Sequence, residues 1–203
     1  MIAIIDYGVG NLRSVEKAFG FIGAEAVVSS DRELILGADA VVLPGVGAFA
    51  DAMDSLERFD MISTVKAAID QGKPFLGICL GMQLLFDYSE EGGERVEGLG
   101  ILKGSIRQLP LDMGLKVPHM GWNSIKTGGD CAVFHNLSSR PYVYFVHSYY
   151  LTAEDRGIVA ATTRYGIEFD VAVCRDKVCA TQFHPEKSGE TGLQILKNWV
   201  AAI

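Results

Sequence analysis

One cysteine stands where a nucleophile would be built. The apolar run Pro74–Ile78 leads directly into Gly77-x-Cys79-x-Gly81, and a helix-like segment, Gly81–Phe86, follows. A strand turning sharply into a helix around a nucleophile needs glycines on both sides, because side chains there would collide across the turn. Such an elbow lifts a thiol to the carboxyl edge of a sheet, where open α/β folds place their ligands. It also sets the thiol near a helix N-terminus, whose partial positive charge favours a thiolate. The peptide N–H of Leu80 would then face a developing oxyanion.

A thiol nucleophile needs a base, and the base needs an orienting group. Of the four histidines, His184 is best placed, at the end of the strand-like run Val178–Phe183 and ahead of Pro185 and Glu186. Pro185 ends the strand, so the chain can turn and bring the Glu186 carboxylate back to the imidazole. His119, His135 and His147 are expected to be structural or secondary. A third segment, Gly45-Val46-Gly47, follows another strand, and its glycines let backbone N–H groups approach a ligand closely. Gly8-Val9-Gly10 resembles a dinucleotide-binding turn, but position 13 is Arg, so that fingerprint fails.

The remaining cysteines, Cys131, Cys174 and Cys179, form no CxxC pair and have no zinc-type histidine spacing. They are expected to be reduced, buried apolar fillers, without a disulfide or a metal.

The elements that must position these residues alternate in the first half. Strands are predicted at Ile2–Ile5, Glu25–Val28, Ala40–Leu43 (stopped by Pro44) and Pro74–Ile78. Helices are predicted over Asn11–Ile22, with Leu12, Val15, Phe19 and Ile22 on one face, and over Met61–Ile69, with Gly72 beyond its end. Alternation of this kind implies right-handed crossovers and a parallel sheet covered on both faces. From Tyr88 to Arg140 the sequence is irregular, with short strands expected at Gly104–Gln108 and Asn123–Ile125. Stronger strands follow at Tyr142–Phe145, Val159–Thr163 and Val178–Gln182, then a closing helix over Glu190–Val200. The expectation is one domain, residues 1–203, of α/β class: three layers, with an open, mostly parallel but mixed sheet flanked by helices.

Composition narrows the partners. The chain has 203 residues, 49% apolar and 21% charged, with a formal net charge of -7. An acidic chain without a basic cluster disfavours nucleic acid and anionic lipid. No apolar run reaches membrane-spanning length, and the opening strand-like residues resemble no export signal, so a cytoplasmic protein is expected.

Pro44–Gly47, Gly77–Gln83 and Phe183–Ser188 together resemble the class I glutamine amidotransferase family, in order, spacing and strand context over essentially the whole chain. The resemblance implies that family's flavodoxin-like fold and a glutaminase activity without cofactor or metal. Cys79 would be the nucleophile, His184 the base and then acid, and Glu186 the orienting carboxylate. Val46, Gly47 and Leu80 would form the oxyanion hole. Gly45, Gln83, Ser148 and Tyr149 would bind glutamine. Asp6–Leu12, Pro118–Asn123 and Tyr144–Tyr149 further resemble the glutaminase subunits of imidazole glycerol phosphate synthases, in histidine biosynthesis. This second resemblance implies a heterodimer with a (β/α)8-barrel cyclase that receives ammonia, with Asn11 and Lys187 at the interface.

Three other readings compete. A thiol hydrolase of esters or lactones would more often order its triad as nucleophile, Asp, His. A non-catalytic relic need keep none of Cys79, His184 and Glu186. A paralogous amidotransferase serving another pathway, such as surface-sugar amidination, would carry the same glutaminase half.

Overall fold

The computed structural model describes residues 1–128 and 131–203. Gly129 and Asp130, inside the stretch expected to be irregular, lie outside the described residues. In the first half the chain forms β1 (Ile2–Ile5), α1 (Leu12–Phe21), β2 (Ala26–Ser29), α2 (Arg32–Gly37), β3 (Ala40–Gly45), α3 (Phe49–Arg58), α4 (Met61–Asp70), β4 (Phe75–Cys79) and the single turn α5 (Leu80–Gln83). The second half contributes β5 (Tyr88–Ser89), β6 (Val96–Glu97), β7 (Gly104–Gln108), β8 (His119–Thr127), β9 (Tyr142–His147), β10 (Tyr149–Ala153), β11 (Val159–Tyr165), β12 (Ile167–Arg175), β13 (Val178–Thr181) and α6 (Gly189–Ala201).

The parallel half of the sheet runs in the order β2-β1-β3-β4-β13. From β13 the sheet continues antiparallel through β12, β10 and β7, and β12 also carries a branch through β11, β8 and β9. Every residue of β1, β3 and β4 is buried, as a parallel sheet covered on both faces requires. The period of two divides them. Ile2, Ile4, Val42, Leu76 and Ile78 face the layer holding α1 and α6, where the rings of Phe19 and Trp199 lie 5.8 Å apart. Ala3, Ile5, Val41, Leu43 and Phe75 face the other layer, against Ile35, Leu56 and Val65 of α2, α3 and α4. The expected three-layer, mixed sheet is therefore the fold observed.

Several expectations need correction. β3 does not stop at Pro44 but runs through it to Gly45. β1 pairs with β3 only as far as Val42, so Pro44 lies where β3 has a neighbour on the β4 side alone, and its missing N–H interrupts no ladder toward β1. β4 extends through Cys79 itself. The helix expected over Gly81–Phe86 is one turn, Leu80–Gln83, so its dipole at Cys79 is small. Helices α2 and α3 and strand β12 were not anticipated. For α2 the signal was Asp31, an N-cap whose carboxylate accepts from the N–H groups of Glu33 (2.8 Å) and Leu34 (3.3 Å).

The elbow glycines are set by neighbouring backbone. A Cβ built on Gly81 would lie 1.9 Å from the carbonyl oxygen of Leu43 in β3, and one on Gly77 would lie 3.0 Å from the carbonyl oxygen of Gly81. Gly81→Ala is expected to destabilise the chain by about 3 kcal/mol or more, at or beyond the upper end of ordinary overpacking. Gly20→Ala, on α1 with open space around it, should be neutral or stabilise by up to about 1 kcal/mol. Urea unfolding midpoints of the two variants would test this, and a wild-type midpoint for Gly81→Ala would contradict it.

Candidate active site

Four adjacent strands, β1, β3, β4 and β13, run parallel and end on one edge. Each delivers one part of the site at or just past its carboxyl end: Tyr7, the Gly45–Gly47 turn, Cys79, and Gln182 with His184. The resulting pocket, of about 290 Å³, is lined by Val46, Gly47, Cys79, Leu80, Gln83, Glu91, Pro118, Val146, His147, Ser148, Tyr149 and His184.

Cys79 occupies φ 56°, ψ -112°, a backbone region that a residue with a side chain rarely adopts. The strain is held because Gly77 and Gly81 let α5 close onto β3. Gly47 also has a positive φ, +93°, which suits a turn that must expose peptide N–H groups. Gly45, expected to line the pocket, instead lies beneath it. A Cβ there would sit 2.7 Å from the Tyr7 hydroxyl and 3.0 Å from the Gly81 nitrogen, so its role is to permit close packing. Tyr7 is buried and donates its hydroxyl to the Pro44 carbonyl at 2.9 Å, which pins the turn from below. Burial, and then the proximity of Cys79, push the Tyr7 phenol well above its ordinary range, so it stays a donor.

His184 and Glu186 are both buried, and Nδ1 of His184 meets Oε1 of Glu186 at 2.7 Å. The 3-10 turn Pro185–Lys187 supplies the reversal that brings the carboxylate back. The backbone of His184 is fixed twice: its N–H donates to the Tyr144 carbonyl (3.0 Å), and its carbonyl accepts from the Ser188 hydroxyl (2.6 Å). His184 Nε2 is buried without a hydrogen-bond partner. It shares the pocket with Cys79, which is one of the groups raising its pKa. Imidazole and thiol are thus neighbours with no settled hydrogen bond between them. Burial opposes charge on His184, but Cys79 and Glu186 overcome it and raise the pKa to about 9.

Two pocket features escaped the sequence reading. Gln182, fully buried, accepts from Gln83 Nε2 at 2.8 Å, and its own Nε2 lies 3.7 Å from the Cys79 sulfur, within donating range. A glutamine two positions before the base was the available signal, but it gains meaning only once β13 lies beside β4. Among the described residues Glu91 is the one carboxylate lining the pocket, and its Oε2 accepts from the Phe49 N–H at the start of α3 (2.7 Å).

His119 and His147, expected to be structural or secondary, form a buried pair, with His147 also in the pocket wall. His147 Nδ1 is 2.8 Å from the Tyr149 carbonyl, which requires its proton there. Its Nε2 then accepts from His119 Nδ1 at 2.9 Å, and His119 Nε2 can accept from Asn123 Nδ2 at 3.4 Å. The chain works only with both rings neutral. Burial lowers His119 to about 4; burial likewise lowers His147, to about 3. Gln83, Ser148 and Tyr149 line the pocket, as do Val46, Gly47 and Leu80. Asn11, immediately before α1, and Lys187, in the 3-10 turn, are not among the residues that line it; α1 and the 3-10 turn pack together.

The expectation for the other cysteines fails. Cys131 and Cys174 are joined by a disulfide, Cys179 is a free thiol, and all three are partly exposed rather than core fillers. Cys131 and Cys174 are 43 residues apart, and only packing of the Ala132–Phe134 turn beside the sheet brings them together.

These groups set the sign of two measurements. Between pH 6.5 and about 9 the folded chain holds a proton on His184 that the unfolded chain releases, so stability falls as pH rises through that window. Below 6.5 the unfolded chain protonates His119 and His147 while the folded chain does not, so stability also falls toward about 4. Unfolding free energy against pH should therefore peak near neutrality, and Cys79→Ser should flatten the alkaline limb. An unchanged limb would refute the coupling of Cys79 to His184. Gln182→Leu should slow iodoacetamide alkylation of Cys79 by about tenfold, the worth of one buried hydrogen bond to the attacking sulfur. Unaltered alkylation would remove Gln182 from the site.

The sequence profile of the class-I glutamine amidotransferases matches residues 3–203. Curated relatives are similar over nearly their full length. Imidazole glycerol phosphate synthase subunit HisH of Caldanaerobacter subterraneus is 52% identical, over 98% of this chain and 97% of that protein. The subunit of the same name from Bacillus cereus is 51% identical, over 100% and 95%. Among solved structures, PurLQS from Thermotoga maritima superposes with a TM-score of 0.77 at 18% identity, over 99% of this chain and 97% of that one, a likeness of fold. A crystal structure described as a glutamine amidotransferase gives 0.75 at 20% identity, over 98% and 100%. By profile, by identity and by the strand-end site, this chain belongs to the class-I glutamine amidotransferase family.

Proposed function

We propose that this chain is the glutaminase subunit of an imidazole glycerol phosphate synthase, releasing ammonia from glutamine for a cyclase subunit. The observation that carries the reading is the joining of Cys79, a buried His184–Glu186 pair and the Gly47 turn at one strand edge. Identity of about half to relatives bearing that synthase's name supports the pathway over surface-sugar amidination. The triad runs nucleophile, His, Glu, which disfavours an ester or lactone hydrolase.

The roles follow from chemistry. The Cys79 sulfur attacks the side-chain amide carbon of glutamine while the peptide N–H groups around Val46, Gly47 and Leu80 hold the oxyanion. His184 gives a proton to the leaving nitrogen, and ammonia departs, leaving a glutamyl thioester. Water, deprotonated by His184, hydrolyses it to glutamate and restores the thiol. Glu186 holds the imidazole through Nδ1, leaving Nε2 to move the proton. No step calls for a cofactor or metal. Gln83 and the backbone of Ser148 and Tyr149 would hold the substrate's α-carboxylate end, with Gly45 providing the close packing beneath. Glu91, whose carboxylate lines the pocket, would face the α-ammonium.

The ammonia needs an acceptor, and we assign a (β/α)8-barrel cyclase as the partner. The hairpin β8–β9 begins at the pocket wall and carries Met120, Trp122 and Tyr142, which are 62%, 55% and 50% exposed. Large apolar side chains in such a strip favour a protein partner. Trp122 lies against Gly189, close in sequence to Lys187, which supports Lys187 and, across the packed helix, Asn11 as interface residues. Among the described residues no helix is long and apolar enough to cross a membrane. We place the heterodimer, with residues 1–203 acting as one unit, in the cytoplasm.

The test is co-purification with a histidine-pathway cyclase. Glutamine turnover should rise when the cyclase's nucleotide substrate is added. Cys79→Ser should abolish turnover, and Glu186→Gln should lower it less severely, because that carboxylate orients and makes no bond. Glu91→Gln should raise the KM for glutamine by about tenfold with kcat less affected. Failure to bind that cyclase, or full turnover by the free chain, would overturn the assignment.

A further inference from the structure

Cys131, Cys174 and Cys179 converge from three segments. Cys174 and Cys179 face each other directly across the antiparallel pair β12–β13. Cys131 precedes the Ala132–Phe134 turn, which packs on α6. Their sulfurs all lie within 4.8 Å of one another, with Cys179 Sγ 3.1 Å from Cys174 Sγ. They line a pocket of about 210 Å³ together with Lys177. Cys179 pairs with Leu76 in the amino-terminal half of β4, whereas Cys79 ends that strand, so this cluster is separate from the glutaminase pocket.

Three convergent sulfurs exceed what a single bridge requires. Each packs one side on the hydrophobic core and leaves the other partly exposed. We propose that, once the Cys131–Cys174 bridge is reduced, the three cysteines bind one thiophilic divalent ion of the zinc class through three thiolates, with water in the fourth position. Reduction by two equivalents of a small thiol converts the bridge to two protein thiols and leaves that thiol as its own disulfide. Ion binding then releases one proton from each cysteine. A divalent ion with three thiolates carries a net single negative charge; the Lys177 ammonium and the Asp176 carboxylate line the same wall and offset each other, so that charge is left to solvent at the pocket mouth. Tetrahedral coordination with metal–sulfur bonds of about 2.3 Å places the sulfurs roughly 3.8 Å apart, a separation that side-chain rotation in the open pocket can supply.

The full chain, reduced with a phosphine and desalted without oxygen, would be titrated with Cd²⁺ while the thiolate-to-metal absorption band is followed. The band should saturate at one ion per chain and be displaced by Zn²⁺. Cys131→Ser, Cys174→Ser and Cys179→Ser should each weaken binding by roughly tenfold or more, and Cys79→Ser should leave the band unchanged. Should a variant misfold, the unaltered chain gives an independent readout. There Zn²⁺ should protect Cys131, Cys174 and Cys179 from alkylation, mapped by peptide mass, while Cys79 still reacts. No stoichiometric band, a band indifferent to Cys131→Ser, or alkylation of the three unaffected by Zn²⁺ would overturn the proposal.

Discussion

The site depends on how closely α5 can approach β3. Gly81 lies so near the Leu43 carbonyl that no side chain fits between them, and this contact forces the chain out of β4 through the strained conformation at Cys79. The same approach places the Gly81 nitrogen against Gly45, so the nucleophile and the oxyanion turn share one steric constraint. Tyr7 locks the arrangement from beneath through the Pro44 carbonyl. Strain at one residue persists because three neighbouring strands over-determine it.

On that rigid edge the electrostatics divide the histidines. Against the cost of burial, the Cys79 sulfur and the Glu186 carboxylate raise His184 to about 9, while burial lowers His147, in the same pocket wall, to about 3. Two imidazoles lining a single cavity thus take different protonation states. The difference arises from what each ring faces: a carboxylate and a thiol for one, a carbonyl and another imidazole for the other.

Legibility in the sequence followed distance along the chain. Gly77, Cys79 and Gly81 lie within five positions, and His184 and Glu186 are two apart, so their steric and chemical logic was local and could be read directly. The first-half strands and the α1 face were likewise visible from short-range periodicity. What stayed hidden needed tertiary neighbours. Gln182 reads as an ordinary strand residue until β13 lies beside β4. Glu91 gains its place by reaching across to the Phe49 N–H. The Cys131–Cys174 bridge carries no spacing signature, and Pro44 misled because its cost depends on which side of β3 has a neighbour.

The position of β13 has a consequence for how the molecule is made. This late strand is inserted between β4 and β12, both of which precede it in the chain. It brings Gln182 and His184 to a thiol synthesised about a hundred residues earlier. On the ribosome, Cys79 is therefore exposed to the tunnel exit long before its base exists. Long-range closure of this kind is slow. A nascent chain thus passes about half of its synthesis with its thiol made and its base still to come.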